Sequence, residues 1–326
     1  ALIGTPRKDN GTGAAYVFRR DETTGSWSEQ AKLTVPGTGP NSGVGVAVGL
    51  DGGVALVAAA GLDLVFEFSE DMSIGAWEAS LILRAFDGGF GGTGFGTAMH
   101  FRANEVWFGA PGAAEVEGRV YLMSRSPSGE WTRADKLVAA DLTPGDQFGA
   151  TLAVQDDVAA VAIPFDDFQL GSVVIFERQN GVWSQTGKVF PTPAATFASI
   201  TGGQVDCEEG TADAFGCTDL DLLSFLSVAD LGGRRGVEVN DVWGWTDPDS
   251  GREYALVGRV EGTAFVDVSD PVNPRYLGDL PLTEGARPAS WRDIKVYRDH
   301  AFIVADGAGE HGMQIFDLTN LRDVRG

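Results

Sequence analysis

A tryptophan that returns about every fifty residues constrains this chain more than any other feature. Gly25-Ser-Trp27, Gly75-Ala-Trp77, Gly129-Glu-Trp131 and Gly181-Val-Trp183 place their indoles 50, 54 and 52 residues apart. Each triplet is preceded by a strand-like run (AAYVFRR, LVFEF, GRVYLMSR, GSVVIFER) and followed by another (EQAKLTV, EASLILRAF, RADKLVAA, QTGKVF). Alternating apolar and polar residues on both sides of a Gly turn is the pattern of a β-hairpin. Upstream of the later hairpins a second signal recurs, at Val44-Gly45, Phe95-Gly96 and Phe148-Gly149, 51 and 53 residues apart. A buried-type strand follows each: GGVALVAAA, NEVWFGAPG, DVAAVAIPF.

Each repeat therefore holds four strands in about fifty residues, which is the arithmetic of a β-propeller blade. The expected fold is all-β, in blades of four antiparallel strands. The 45 glycines fit this, since they suit tight turns and the crowding of strands near an axis. The repeat tryptophans are expected to pack between neighbouring blades. The first repeat lacks an opening strand. With a start, ALIGTPRKDNGTG, that reads like the middle of a repeat, this suggests a piece of a longer precursor.

The pairs Phe95-Gly96 and Phe148-Gly149, with Gly109-Ala110-Pro111 and its variant Gly4-Thr5-Pro6, resemble the FG-GAP repeat of integrin α-subunit propellers and bacterial surface proteins. The resemblance covers residues 1 to about 200 and implies architecture more than activity. Past the cysteines the signature changes. Asn240-Asp241-Val-Trp243 and Trp291-Arg-Asp293-Ile-Lys295 open two copies, with Asp241 and Asp293 52 residues apart and Asp267 and Asp317 50 apart. The run ALVGR…TAFVDVSDPVNPRYLGDL resembles LVIVD repeats, and residues 205–326 as a whole resemble the choice-of-anchor B family. That second resemblance implies export from a bacterial cell and surface attachment; no anchor signal is visible. Two propeller regions are expected, residues 1–204 and 205–326. A single ring of six to seven blades is the alternative. Between them PTPAATFASITGG is read as one last opening strand, with Phe197 in the place of the repeat Phe, and DLDLLSFLSVADLGG as a strand or short helix.

A net charge of −22 repels phosphate backbones and argues against a nucleic-acid partner. No run of 18 apolar residues occurs, so no membrane span is expected. Cys207 and Cys217 close a short polar loop, CEEGTADAFGC, without zinc-ligand spacing. A disulfide and an oxidising, extracellular compartment are the expectation, two reduced thiols the alternative.

Few motifs carry chemistry. Gly89-Phe-Gly91-Gly-Thr-Gly94 fits G-x-G-x-x-G, but a strand-like run follows where a dinucleotide site needs a helix, so a turn is the better reading. Asp247-Pro-Asp249-Ser-Gly251 alternates oxygen ligands as a Ca²⁺ loop does, and is also a favoured hairpin turn. Asp9-Asn10-Gly11 and Asp166-Asp167 occupy equivalent loops of the first repeat type, where integrin-type blades hold Ca²⁺, and Asn10-Gly11-Thr12 is a glycosylation sequon by pattern. Among the three histidines, His300 and His311 could join Asp241 and Asp293 in a metal or acid–base cluster at a channel mouth. The expectation is a secreted, non-enzymatic surface module for adhesion or assembly. It would present loops to a protein or glycan, or to further copies of itself. A hydrolase or metal-dependent enzyme using the second propeller's channel is the alternative, and a filament or coat subunit a further one.

Overall fold

The computed structural model describes residues 1–71, 73–87, 91–191 and 197–324. The chain divides into two compact units, Ala1–Pro191 and Thr192–Gly326. In the first, consecutive strands form consecutive sheets. Strands β1 (Leu2–Gly4), β2 (Ala15–Arg20) and β3 (Trp27–Leu33) make a three-stranded sheet. Four-stranded sheets follow: β4 (Val44–Asp51), β5 (Val54–Ala59), β6 (Leu64–Asp71) and β7 (Ala76–Leu83), then β8 (Ala98–Arg102), β9 (Glu105–Ala110), β10 (Arg119–Arg125) and β11 (Trp131–Leu137). The last comprises β12 (Leu152–Gln155), β13 (Val158–Ile163), β14 (Ser172–Gln179) and β15 (Val182–Val189). Every pairing is antiparallel and in chain order, and the first strands stand side by side, β4 against β8 and β8 against β12. These are the blades of a β-propeller, as the fifty-residue period requires.

Apolar cores fill the gaps between sheets, because each sheet has two faces to cover. Val17, Val57 and Phe68 join the first two sheets, Leu56, Phe95 and Phe108 the next two, and Trp107, Phe148 and Phe176 the last two. The Phe-Gly and Gly-Ala-Pro motifs acquire a physical meaning here. A Cβ at Gly109, in β9, would lie 1.9 Å from the carbonyl oxygen of Gly149, in the turn that leads into β12 of the following sheet. Gly4 and Gly45 stand in the same relation in the first two sheets, also at 1.9 Å. The motif thus spaces adjacent blades so closely that no side chain fits between them.

The repeat tryptophans occupy matching register positions, opposite Arg20, Glu70, Arg125 and Arg178. Trp77, Trp131 and Trp183 each lean on the sheet before their own, and Trp183 is 6% exposed. Trp27 belongs to the first sheet, has none before it in this unit, and is 56% exposed. The last two strands of each sheet also share a register shift, at Val17/Phe18, Glu67/Phe68, Leu122/Met123 and Ile175/Phe176.

The second unit begins with irregular chain. Ile200 bridges Phe225 and Val205 bridges Leu222, so the segment before the cysteines is stitched into this unit, which places the division earlier than residue 204. The run containing Leu222 and Phe225 is extended, with isolated bridges, rather than a regular helix or strand. Phe197 does not take the buried place of the repeat Phe; it is 47% exposed and packs on Phe215 and Phe225. Residues 192–196 of that expected strand lie outside the described residues. A short hairpin, β16 (Thr211–Ala212) and β17 (Phe215–Gly216), is closed by the Cys207–Cys217 disulfide. Two sheets follow: β18 (Val239–Thr246), β19 (Glu253–Arg259), β20 (Gly262–Asp267) and β21 (Arg275–Pro281), then β22 (Trp291–Tyr297), β23 (His300–Asp306) and β24 (Met313–Asp317). Strand β18 stands beside β22, and Leu256, Phe265, Ile294 and Ile303 form the core between the sheets. No helix among the described residues is long and apolar enough to cross a membrane.

Candidate functional site

Strand alternation decides which side chains of β18 and β22 can meet. Residues two apart share a face on a regular strand, so Asp293 goes with Lys295 while Arg292 and Ile294 point the other way; Asp241 lies in a register shift between Val239 and Val242 and is placed by its contacts instead. Asp241 accepts the Ile294 backbone N–H at 2.8 Å and the Val242 N–H at 2.9 Å, which fixes its carboxylate against β22. Asp293 is ion-paired with Lys295, whose Nζ stands 4.5 Å from the centre of the Trp243 ring. Lys295 holds the Asp293 carboxyl below the usual carboxylate range. The Asp293 and Lys295 side chains remain 63% and 56% exposed. Two carboxylates, an ammonium and an indole therefore lie at one accessible place.

The histidines lie elsewhere. His300 opens β23 opposite Tyr297 and Asp317, at the other end of the sheet from the His311 turn. His311 is 4% exposed, on the back of β22, where Arg292 Nη1 donates to its Nε2 at 2.8 Å. A guanidinium can only donate, so the imidazole proton is at Nδ1, which faces the Gly312 carbonyl at 3.0 Å. Both ring nitrogens are thus engaged. Arg292 also donates from Nε to the Arg259 carbonyl at 3.0 Å, and the buried Arg259 pairs with Asp279 at 3.0 Å. Sequence reasoning passed over these arginines. The signal was present in WRDIKVY, where Arg292 shares the buried parity of Ile294.

The acidic loops hold cationic side chains. Asp247 is fully buried and meets Arg322 through Nη2 at 2.6 Å and Nε at 3.1 Å, and Asp249 meets the same guanidinium at 2.9 Å. Arg322 holds the Asp247 carboxyl well below its usual range. Asp166 is paired with Lys188 at 2.8 Å, and Asp9 lies 4.0 Å from Lys32. Among the described residues no three His, Cys, Asp or Glu side chains gather as a metal set. In the glycine-rich run, residues 88–90 lie outside the described residues. Gly91, Thr93 and Phe95 donate backbone N–H groups to Asp63, and the chain then enters β8, a strand.

Residues 131–176 match the FG-GAP repeat family. No curated protein matches the sequence. Among solved structures the chain is similar to a Bacteroides uniformis protein provisionally named a 6-phosphogluconolactonase, at 14% identity and TM-score 0.38, covering 97% of this chain and 96% of that one. It is similar to the periplasmic gluconolactonase of Pseudomonas aeruginosa at 10% identity and TM-score 0.35, covering 97% and 91%. A third is virginiamycin B lyase from Staphylococcus aureus, at 10% identity and TM-score 0.34, covering 97% of both chains. Since these similar structures bear enzyme names, the expectation of a non-enzyme is corrected and set aside; at such identities and scores they assign no reaction to this chain. What the comparisons establish is an FG-GAP repeat at residues 131–176.

Proposed function

We propose that the second unit carries a hydrolytic site for activated esters, lactones among them, built from Asp293, Lys295 and Asp241. One observation carries this reading: Asp293 and Lys295 are in contact on an exposed face, with Asp241 held beside them from the neighbouring strand. Water attacking the ester carbonyl gives its proton to Asp293, and the Lys295 ammonium stabilises the oxyanion. Collapse of the tetrahedral intermediate breaks the bond to the alkoxide oxygen, which takes that proton, and a hydroxy acid leaves. A carboxylate whose pKa an ammonium depresses is a weak base. That suits a reactive carbonyl and argues against peptide or glycosidic bonds as substrates. Trp243 offers an apolar surface on which the substrate can lie.

The test is proton release from glucono-δ-lactone and chromophore release from p-nitrophenyl acetate, each corrected for the buffer reaction. Asp293→Asn and Lys295→Met are expected to lower the rate by about a hundredfold. Wild-type rates equal to buffer, or variants as fast as wild type, would overturn the reading.

A second reading is that the same cluster also holds a glycan or peptide, as part of a surface-displayed module. The exposed Trp243 beside mixed charges favours it, because such a place can hold a glycan or peptide. The disulfide supports an oxidising, extracellular setting, which the choice-of-anchor B resemblance of residues 205–326 also implies. Glycan or peptide retention by wild type and its loss in Asp293→Asn would favour this second reading.

A further inference from the structure

The sheet of β22, β23 and β24 has one covered face and one open face. Along β22 the side chains alternate, Arg292 and Ile294 buried, Asp293, Lys295 and Tyr297 exposed. Cross-strand pairing continues that division, since residues directly opposite each other point to the same side of a sheet. On the open face Asp293 stands opposite Val304, which stands opposite Met313. In the next row Lys295 stands opposite Phe302, which stands opposite Ile315. Each charge of the pair therefore begins a row that runs on in two apolar side chains. Phe302 is half-buried, Val304 is 41% exposed, and Met313 and Ile315 are each 56% exposed.

These apolar side chains form one plaque beside the Asp293–Lys295 pair, and a contiguous apolar surface next to reactive charges marks a place of binding. Neighbouring strands lie about 4.8 Å apart, so the plaque reaches about 10 Å from the pair, close to the length of an eight-carbon chain. Polar rows bound it. Asp306 stands opposite Trp291 on one side, and His300 lies between Tyr297 and Asp317 on the other. Strand β22 is the edge strand of its sheet, and Asp241 takes the Ile294 N–H from the free edge. Trp243, on the same strand as Asp241 and 4.5 Å from the Lys295 Nζ, thus lies on the side away from the plaque. An indole flanks the charged pair on one side and an aliphatic surface on the other.

We propose that the plaque of Val304, Phe302, Met313 and Ile315 is an acyl-chain subsite, so that the substrate is an uncharged ester with an aliphatic acyl chain of about eight carbons. The inference rests on the hydrolytic reading given above and adds a substrate class to it. With the ester carbonyl over Asp293 and Lys295, an aromatic leaving group lies on Trp243 and the acyl chain runs across β23 and β24. The oxygen of water joins the acyl carbon, the bond to the alkoxide oxygen breaks, and that oxygen leaves with the proton held by Asp293. The chain departs as a free carboxylic acid. Asp306 and Asp317, at the borders of the plaque, disfavour an acidic chain in a molecule of net charge −22.

Initial rates of the full chain with p-nitrophenyl acetate, butyrate and octanoate test the proposal. A methylene on an open surface keeps one side in water and gains about a factor of two, so octanoate is expected to exceed acetate in kcat/KM by about fiftyfold. Met313→Ser with Ile315→Ser, both at exposed positions, is expected to cut that advantage to about tenfold or less, with acetate turned over as in wild type. Val304→Ser is expected to lower octanoate alone, by about threefold, and decides the matter should the double variant fail to fold by circular dichroism. Equal kcat/KM for the three esters, or an undiminished octanoate preference in the variants, would overturn the acyl subsite while acetate turnover kept the hydrolytic reading. Rates equal to buffer for all three esters would overturn both.

Discussion

Trp131 crosses from its own sheet to donate its indole N–H to Glu67 of the preceding sheet, whose carboxylate is only 4% exposed. Arg125 at 3.1 Å and Ser80 at 3.0 Å reach the same carboxylate, so a charged group inside the seam has three donors around it. Removing the acid leaves Arg125 without its partner. Glu67→Leu is expected to destabilise the first unit by about 3 kcal/mol, and Trp131→Phe, which keeps the ring, by about 1–2 kcal/mol. Urea unfolding followed by tryptophan fluorescence measures both, and equal midpoints for wild type and Glu67→Leu would show the network to be dispensable.

The glycine seam makes an equally sharp expectation. Gly109→Ala drives a methyl into the Gly149 carbonyl, so backbone must move, at a cost of about 3 kcal/mol or more. At Gly39 an added methyl would meet nothing within 4 Å, and the backbone there has no left-handed φ. Gly39→Ala therefore serves as the control, expected within about 0.5 kcal/mol of wild type. Thermal melts of the pair compare them directly.

Acid should unfold the second unit through Asp247. Its folded pKa is depressed by Arg322, so the stabilisation is complete above the unfolded value of about 3.9 and is lost as pH falls below it toward the folded one. Melting temperature is expected to hold level from pH 7 to 5 and to fall below about pH 4. Arg322→Gln should be less stable at pH 7 and should lose less on acidification, because the carboxylate then has no guanidinium to give up. An unchanged acid profile in that variant would assign the transition to other carboxylates.

Reduction should act on the second unit alone. The disulfide spans 10 residues of sequence, and closing a loop of that size stabilises by about 2–3 kcal/mol. Cys207→Ser with Cys217→Ser, or dithiothreitol on wild type, should lower the second unit's melting step and leave the Glu67-dependent step in place.

Much of the first unit was legible because its determinants are periodic. Trp27, Trp77, Trp131 and Trp183 lie at matching registers, and Phe95 and Phe148 are buried where the Phe-Gly signal put them. What escaped depends on contacts between distant residues. Trp27 carries the same local signal as Trp183 but lacks a sheet to lean on, and Phe197 resembles a repeat Phe yet joins an aromatic cluster beside the disulfide hairpin. In the candidate site, the 52-residue spacing of Asp241 and Asp293 pointed to matching positions in two copies, and the same-face rule would have added Lys295 beside Asp293. The separation of His300 from His311 follows from the length of β23, about 20 Å for seven residues, once both are placed at its opposite ends.

The carbonyl-to-glycine contact of Gly109 with Gly149 has a consequence for how damage spreads. It couples a blade only to the next in line, so cooperativity within the first unit is a chain of neighbour-to-neighbour links with no shared hub. Weakening one link should loosen the two blades that meet there first. Amide hydrogen exchange in Gly109→Ala is therefore expected to quicken in β9 and β13 while the amides of β5 keep their protection.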